Sequence, residues 1–326
     1  MHPSTLSLVA TALAVTRTGL AAVAPNGLSY VYPNVAYTDH STSSLVTYMH
    51  KYFTAKTLRD LPTFASYFTP TDDDVYFDAT VGLTVPQSGL AAALAMLLVG
   101  DNPNAKSYPT RIIGDTNSAV VLNLDTAGFF GPTESRAISA IDFKDGKIAR
   151  YIDYWDGRLN PSISGRTPED KFPETLGESS ITAKRNPVIS GVATKLYDAL
   201  STGDSAAAFA LFTHDAVFED RATRTRIEGQ TGIQQYLQRV HQVAPYGIGS
   251  RLRHIVGDVQ GGAYEWIGNA ATGSPNGITA LELDYQGKIT ALYTVWDSSR
   301  TSNETLGTLV GFNIVHAGFG LDHVDI

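Results

Sequence analysis

Apolar residues recur at three- and four-residue steps in two segments of the chain, one in each half. The positions are Leu45, Met49, Tyr52 and Phe53 in the first segment and Val188, Val192, Leu196 and Leu200 in the second. This spacing is typical of an amphipathic helix. A shorter helical stretch, a strand, a further helix and a series of long strands separated by turns follow each segment. Helices followed by a meander of strands predict an α+β fold, with a curved sheet folded over the helices to enclose a pocket.

The same landmarks occur twice along the chain, in the same order, at an offset of roughly 143 residues. They include Phe68 with Phe212, Asp78 with Asp220, Gly89 with Gly232, the Gly-Lys-Ile runs at 146–148 and 287–289, and the Trp-Asp pairs at 155–156 and 296–297. These matches indicate one cone-shaped domain used twice, and we expect the two copies to pack together as an internal pseudo-dimer. The predicted divisions are a leader (1–39), a first domain (40–158), a proline-containing linker (159–186), a second domain (187–300) and a tail (301–326).

The leader contains a short apolar run at residues 5–15 and a small-x-small site at residues 22–24. This arrangement resembles a cleaved secretory signal. An ordinary N-terminal extension is the alternative, so the sequence leaves a secretory and a cytoplasmic location open. The run is too short to span a bilayer.

Composition excludes several classes of catalysis and of binding partner. The 326-residue chain has a net charge of -8 and no cysteine. No Lys/Arg cluster is present, so nucleic acid is a poor candidate partner. Thiolate, iron-sulfur and cysteine-zinc chemistry are excluded, and the histidines lack metal-ligand spacing. Phosphate-binding and nucleotide-binding glycine motifs are also missing. What is left is cofactor-free acid-base catalysis by carboxylates and phenols, or binding alone.

Two motifs carry a resemblance to a known family. One is the strand at residues 215–220 followed by Gly232, with a counterpart at residues 74–78 and Gly89; the other is the closing stretch at residues 145–156. The order and motifs resemble the nuclear transport factor 2-like cone fold, which includes ketosteroid isomerase, SnoaL-like polyketide cyclases and limonene epoxide hydrolase. The tandem arrangement is similar to that of polyether-forming epoxide hydrolases and fungal hydrolases of the aurovertin and citreoviridin type.

Strand alternation places Tyr76 with Asp78, and Phe218 with Asp220, on one face of their strands. A carboxylate that faces an apolar cone has a raised pKa, which suits a general acid or base. The alternative is that each aspartate merely caps a turn at the end of its strand. The resemblance implies that Asp78 and Asp220 stand at the family's catalytic base. It also places Tyr52 where those enzymes carry a tyrosine.

The closing strand of the first domain provides a second candidate base. Asp153 shares a face with Trp155 and resembles the water-activating aspartate of limonene epoxide hydrolase. In that comparison Tyr76, Asp78 and Asp125 stand at the water-orienting tyrosine, the asparagine and the acid-side aspartate. Asn123 replaces the family's arginine, and Thr294 replaces Asp153 in the second domain.

The second domain has candidates of its own. Glu265 lies between Tyr264 and Trp266 and is a possible acid partner of Asp220, with an outward-facing charge as the alternative. His254 is a candidate for the same pocket or for a solvated position. Residues expected to bind substrate in either domain are aromatic or acidic: Tyr76, Asp125, Trp155, Tyr197, Phe218, Trp266 and Trp296.

These features lead to one functional hypothesis and two rivals. We expect a cofactor-independent epoxide hydrolase or cyclase that acts on a small apolar polyketide. One rival is a dehydratase, isomerase or aldol-type cyclase that uses the same residues, and the other is a binding protein without catalysis. No metal, nucleic acid or membrane is expected as a partner. The chain is expected to be a monomer with an internal pseudo-dimer, or a homodimer.

Overall fold

The computed structural model describes residues 29–97, 102–159, 166–168, 171–181, 183, 185–273 and 275–316. The apolar run and the small-x-small site of the leader lie outside these residues. Over the described part of the chain, no helix is both long enough and apolar enough to cross a bilayer.

The described residues of the first half form a six-stranded sheet with three α-helices. Its elements are α1 Ser43–Leu58, α2 Leu61–Ala65, β1 Asp74–Asp78, β2 Leu83–Pro86, α3 Leu90–Leu97, β3 Ser107–Gly114, β4 Ser118–Asp125, β5 Ser135–Lys144 and β6 Lys147–Tyr154. The strand order is β2-β1-β6-β5-β4-β3. Strand β1 runs parallel to β6, and the other neighbouring strands are antiparallel.

The second half repeats this architecture and adds a C-terminal helix. Its elements are α4 Pro187–Thr202, α5 Ser205–Phe209, β7 Phe212–Asp220, β8 Thr225–Glu228, α6 Gln230–Val240, β9 Arg251–Asp258, β10 Gly261–Ile267, β11 Asn276–Leu283, β12 Ile289–Trp296 and α7 Asn303–His316. The strand order, β8-β7-β12-β11-β10-β9, is the same as in the first sheet. The prediction of two tandem α+β cone domains is therefore confirmed.

The first helix of each domain begins and ends on local signals that the sequence carries. The Asn186 side chain accepts a 2.9 Å hydrogen bond from the Val188 amide at the start of α4, where Pro187 occupies the first turn. Gly203 ends that helix with a φ of 79°. Thr42 caps α1 in the same manner, and Arg59 adopts the left-handed conformation at its end. Both helices are 16 residues long, so their positions can be compared one by one.

Each sheet uses both of its faces. The inner face packs on the helices of its own domain and forms a separate apolar core there. The outer faces of the two sheets pack against each other. Residues of both sheets meet in this third cluster, among them Phe77, Ile113, Val120, Ile138, Ile152, Val256, Ala263, Ile278 and Val295. The two domains therefore form an internal pseudo-dimer joined sheet to sheet.

Described segments that flank the predicted domains pack against the cores of both. Tyr32, in the predicted leader, is buried in the core of the first domain. Tyr37 pairs with Arg111 at the edge of β3. In the predicted tail, Leu309 on α7 is buried in the core of the second domain. Residues on either side of the predicted domains thus contribute to the apolar cores.

Candidate functional site

The inner face of the first sheet carries a row of polar side chains. In the strand register, Asp78 of β1 lies beside Asp153 of β6, and Asp153 lies opposite Ser139 of β5. Tyr76 and Tyr151 form the neighbouring pair one step along the same face. Paired residues of adjacent strands point to the same side of a sheet, so these side chains converge inside the first cone.

Asp153 is the centre of this group. The Tyr76 hydroxyl donates a 2.7 Å hydrogen bond to Asp153 Oδ2, and the Ser139 hydroxyl donates to Oδ1. The Tyr151 hydroxyl in turn donates to Ser139 Oγ at 3.0 Å. Asp153 is 6% exposed. Two hydroxyl donors on one carboxylate suit a charged acceptor and fix its orientation.

A second carboxylate is linked to the first through neutral groups. Ser139 Oγ lies 3.1 Å from Asn123 Oδ1, and Asn123 Nδ2 lies 3.4 Å from Asp125 Oδ2. Lys56 Nζ, from the last turn of α1, lies 3.7 Å from Asp125 Oδ1. Burial raises the pKa of Asp125, and the Lys56 charge opposes that rise. The cone thus contains two carboxylates with different surroundings, a pattern suited to acid-base chemistry.

Asp78 has structural bonds as well as an inward position. Its Oδ1 accepts the backbone amides of Thr80 and Val81, at 2.9 and 3.1 Å. The indole N–H of Trp155 donates to both carboxylate oxygens. Asp78 therefore does cap the turn after its strand, as the alternative interpretation predicted. Burial nevertheless raises its pKa to about 7, with the Trp155 hydrogen bond acting against the shift.

Three buried polar atoms inside the first cone have no hydrogen-bond partner among the described residues: Tyr52 Oη, Ser107 Oγ and Asp125 Oδ1. Burial, and then the nearby Tyr151 and Asp153, raise the pKa of Tyr52 well above its usual range, so its phenol stays protonated. Buried polar atoms in native proteins are rarely left unpaired without water or a ligand beside them. Longer contacts of Tyr52 with Tyr151, and of Asp125 with Ser107 and Lys56, link these atoms to the rest of the polar row.

The second cone keeps the strand-end aspartate and loses most of the polar row. Asp220 Oδ1 accepts the amides of Ala222 and Thr223, and Oδ2 lies 3.3 Å from the Trp296 indole nitrogen and 3.4 Å from the Tyr246 hydroxyl. Burial raises the pKa of Asp220 to about 6. The aspartate and tryptophan contact is thus common to both domains.

The other positions of the second cone are apolar or uncharged. By helix position and strand register, the counterparts of Tyr52, Lys56, Tyr76, Tyr151, Asp153 and Ser139 are Leu196, Leu200, Phe218, Leu292, Thr294 and Thr279. Thr294 and Thr279 hydrogen bond to each other at 3.1 Å. A second carboxylate at the place of Asp153 is therefore absent from the described inner face of this cone.

Glu265 and His254 do not lie in the cone with Asp220, which corrects the prediction of Glu265 as an acid partner and of His254 as a residue of the same pocket. The register runs from Asp220 through Thr294 and Thr279 to Tyr264, so Glu265 points to the opposite face of the sheet. That face is the domain interface. There the Glu265 carboxylate accepts hydrogen bonds from both terminal guanidinium nitrogens of Arg150, one of them at 2.8 Å.

His254 shares the interface with Glu265, opposite it in the register. Its Nε2 lies 2.9 Å from Asp142 Oδ2 of the first domain, and Arg185 contacts both groups. The register puts both side chains on the outer face of the second sheet, and the packing of that face against the first sheet buries them. Their positions are those of a buried ion network.

The remaining aromatic candidates pack within the domains. Trp266 donates its indole N–H to Thr279 at 3.0 Å, and the Tyr197 hydroxyl donates to the Ser250 carbonyl at 3.0 Å. Phe218 and Trp296 are buried in the core of the second domain. Trp155 lies against Asp78 in the first domain. Trp155, Trp266 and Trp296 thus hydrogen bond to polar groups of their own cones, whereas Phe218 contributes to the apolar core.

Sequence reasoning missed Ser139, which contacts both Asp153 and Asn123, and Lys56, which lies beside Asp125. Lys56 follows Tyr52 by one helical turn, a spacing that puts both on the same face. Ser139 lies opposite Asp153 in the strand register. Within the described residues, no group of three histidine, aspartate or glutamate side chains is arranged to hold a metal ion.

Comparison with known proteins agrees with the fold. Residues 193–292 match the family model described as SnoaL-like domain. The matched residues lie within the second repeat, whose fold is of the cone-shaped α+β class. A comparison with curated proteins gave no match.

Solved structures similar to this chain share little sequence with it. A steroid delta-isomerase from Pseudomonas aeruginosa is 14% identical, with 44% of this chain and 100% of that chain covered and a TM-score of 0.34. A putative SnoaL-like polyketide cyclase from Shewanella putrefaciens CN-32 is 19% identical, with 37% and 86% covered and a TM-score of 0.31. An uncharacterized protein with a cystatin-like fold from Silicibacter pomeroyi DSS-3 is 20% identical, with 42% and 89% covered and a TM-score of 0.33.

Proposed function

We propose that the protein is a cofactor-independent acid-base enzyme that opens an epoxide of a small polyketide-type substrate in its first cone. The observation that carries this proposal is the pair of buried carboxylates, Asp153 and Asp125, linked through Ser139 and Asn123. One carboxylate is oriented by two hydroxyl donors, and the other has a raised pKa. Epoxide opening needs one group that accepts a proton and another that donates one.

In this mechanism Asp153 is the base. It takes a proton from water or from a substrate hydroxyl as that oxygen attacks an epoxide carbon. Tyr76 and Ser139 hold the Asp153 carboxylate in position for the transfer. The carbon-oxygen bond of the epoxide breaks, and protonated Asp125 gives its proton to the leaving oxygen. Exchange with solvent then returns both carboxyl groups to their starting states.

Asp78 supports a second candidate function on the same face. Its pKa of about 7 lies close to neutral pH, which suits a base that removes a carbon-bound proton. With Tyr52 as the donor to a carbonyl oxygen, the first cone would act as an isomerase, dehydratase or aldol-type cyclase. Asp78 would then carry the proton, and Asp153 would only assist it.

Assays with wild type, Asp153→Asn and Asp78→Asn distinguish these functions. The substrates are a bis-epoxide polyene and a ketosteroid, in water enriched in oxygen-18. Epoxide opening that is lost with Asp153→Asn supports the main proposal, and label in the product shows that water is the nucleophile. Unlabelled cyclic product shows attack by a substrate hydroxyl instead.

Asp220→Asn is the matched control because Asp220 occupies the place of Asp78 in the second cone. It should leave epoxide turnover unchanged. Turnover of the ketosteroid that depends on Asp78 alone would favour the second candidate. If wild type binds both compounds and converts neither, the protein is a binding module and both catalytic proposals are wrong.

A further inference from the structure

A cavity of about 590 Å³ lies at the strand ends of the second domain, next to residues 39–40 of the first half. Its walls come from the β9–β10 turn, the β11–β12 turn, the first turn of α4 and residues 39–40. We call this cavity the turn groove. Its volume falls within the range of small-molecule sites, about 300–1,000 Å³. None of its lining residues belongs to the polar row of the first cone, so the turn groove is a different site from the proposed active site.

Three apolar residues that line the turn groove are exposed to solvent. Tyr285, Val259 and Val188 are 97%, 50% and 36% exposed. Leu283 also lines the groove and is itself buried in the core of the second domain. Single exposed apolar residues are common on protein surfaces, but a group of them around one cavity is typical of a binding surface. The groove therefore offers an apolar contact area to a ligand.

The first domain shows that the fold does not require apolar residues at this surface. Helix position matches Val188 with Ser44, and strand register matches Val259 with Thr116. The turn that corresponds to the one carrying Tyr285 reads Lys-Asp-Gly-Lys at residues 144–147. The same surface of the same fold is therefore polar in one domain and apolar in the other. Binding of an apolar ligand in the second domain explains the difference.

Two carboxylates determine the charge that the turn groove favours. Asp39 and Asp284 line it, and no lysine or arginine does so among the described residues. Asp284 Oδ1 accepts two backbone amides of its own turn, both at 2.8 Å, which orients that carboxylate. His40 Nδ1 donates to the Gln260 carbonyl at 3.1 Å and so attaches the segment that carries Asp39 to the second domain. Two negative groups beside an apolar surface favour a ligand with a positive charge and an apolar body.

We propose that the turn groove binds an organic ammonium ion, that is, an amine with an aromatic or branched apolar body. The body packs on Val188, Val259 and Leu283, and the charge pairs with the two carboxylates. A second copy of this chain is a poorer occupant, because each copy has a net charge of -8 and would bring the same two carboxylates to the contact. The inference goes beyond the proposed reaction and does not depend on it.

The test compares two probes with the same apolar body, 3-phenylpropylamine and 3-phenylpropanol, at neutral pH. NMR titration of the purified full-length protein measures both affinities through the methyl signals of Val188 and Val259, which distinguishes the turn groove from the cones. We expect the amine to bind about tenfold more tightly than the alcohol. The double variant Asp39→Asn, Asp284→Asn should remove this preference. Asp145→Asn changes an exposed carboxylate in the corresponding turn of the first domain and should leave the preference unchanged.

Exchange of matched residues between the domains tests the apolar contact. Val259→Thr should weaken the binding of both probes about fourfold, because a buried methyl contact is lost. The reciprocal variant Thr116→Val should change neither affinity.

Several results would overturn the proposal. These are no binding of the amine to wild type, equal affinities for amine and alcohol, and a preference that survives the double aspartate variant. Sedimentation velocity tests the other occupant. A change from dimer to monomer with Tyr285→Ser would assign the turn groove to a contact between two copies of the chain, and the ammonium site would then be rejected.

Discussion

The two domains have the same frame and different interiors. Each sheet has the same strand order, each first helix has 16 residues, and each cone has an aspartate bound by a tryptophan indole and two turn amides. Within the described residues, Leu200 and Thr294 occupy the places of Lys56 and Asp153, so neither charged group has a charged counterpart in the second cone. The contact between the aspartate and the tryptophan is therefore a feature of the fold, whereas the charged residues found only in the first cone are the candidates for catalysis.

This difference also separates two interpretations of Asp78 and Asp220. Both aspartates cap a turn, which explains why they occur in both domains without invoking catalysis. Asp78 additionally lies beside Asp153 in the register, whereas Asp220 lies beside Thr294. In either cone the strand-end aspartate can stabilise the turn that follows its strand. In the first cone it also forms part of a group of carboxylates.

The largest expected effect comes from the base. Asp153→Asn should lower kcat for epoxide opening about a thousandfold, because general-base catalysis contributes two to four orders of magnitude. Thr294→Val changes the matching position in the second cone and should leave kcat within about twofold, since that threonine only hydrogen bonds to Thr279 and a carbonyl. Steady-state kinetics with both variants measure the difference. Equal losses would mean that the two cones act together.

The next largest effect concerns the interface that joins the domains. Glu265→Ala leaves the Arg150 guanidinium, which is fully buried, without its bidentate partner. We expect a loss of about 3 kcal/mol in the free energy of unfolding, as for other buried pairs broken on one side. Urea denaturation measures it.

Glu282→Ala is the matched control for the interface. Its partner Arg111 is partly exposed, so water can solvate the charge that is left behind. The expected loss is smaller, about 1 kcal/mol. If both variants lost the same amount, burial of the Arg150 and Glu265 pair would not explain its contribution.

Much of the fold follows from the sequence, because the repeat and the periodicities are local signals. The helix of residues 45–53 and the strand ending at Asp78 are confirmed, as is the packing of the two domains as an internal pseudo-dimer. The buried position of Leu309 was not predicted. A helix in a glycine-containing tail has a weak pattern, and its burial depends on a surface that exists only after the domain folds.

The site was less predictable than the fold. Strand alternation correctly placed Tyr76 and Asp78 on one face, but alternation alone does not say which face meets solvent. Glu265 shows the consequence, since its outward face is covered by the other domain. Lys56 gave no signal, because a lysine in the last turn of a helix is usually solvated and stabilises the helix end. Only the folded structure, in which Lys56 Nζ lies 3.7 Å from Asp125 Oδ1, distinguishes Lys56 from such a solvated lysine.

The two aspartates also predict different pH dependences of stability. Burial raises the pKa of Asp78 to about 7 and of Asp220 to about 6, both above the value of 3.8 for an unperturbed aspartate. Between these limits the folded protein holds more protons than the unfolded chain, so stability falls as the pH rises. Asp78→Asn should remove a decrease in the free energy of unfolding that extends to about pH 7. Asp220→Asn should remove a decrease that ends near pH 6.

Urea midpoints of wild type and both variants, taken between pH 4 and pH 8, test this prediction. The variants are compared by the slope of the urea midpoint against pH. The absolute midpoint is less informative, because an asparagine amide also changes the contact with the indole at every pH. Identical slopes in all three proteins would show that neither carboxyl group has a raised pKa in the folded state.

The smallest expected effect is a shift in the pKa of these carboxyl groups when the indole donor is removed. Trp155 lies 2.9 and 3.1 Å from the two oxygens of Asp78, whereas Trp296 lies 3.3 Å from one oxygen of Asp220. A hydrogen bond to the charged form lowers a pKa, so its loss should raise the pKa. Trp155→Phe should therefore raise the pKa of Asp78 more than Trp296→Phe raises that of Asp220. Carbon-13 NMR titration of the aspartate carboxyl groups measures both shifts, and a larger shift at Asp220 would mean that the turn amides, rather than the indole, set the charge state in the first cone.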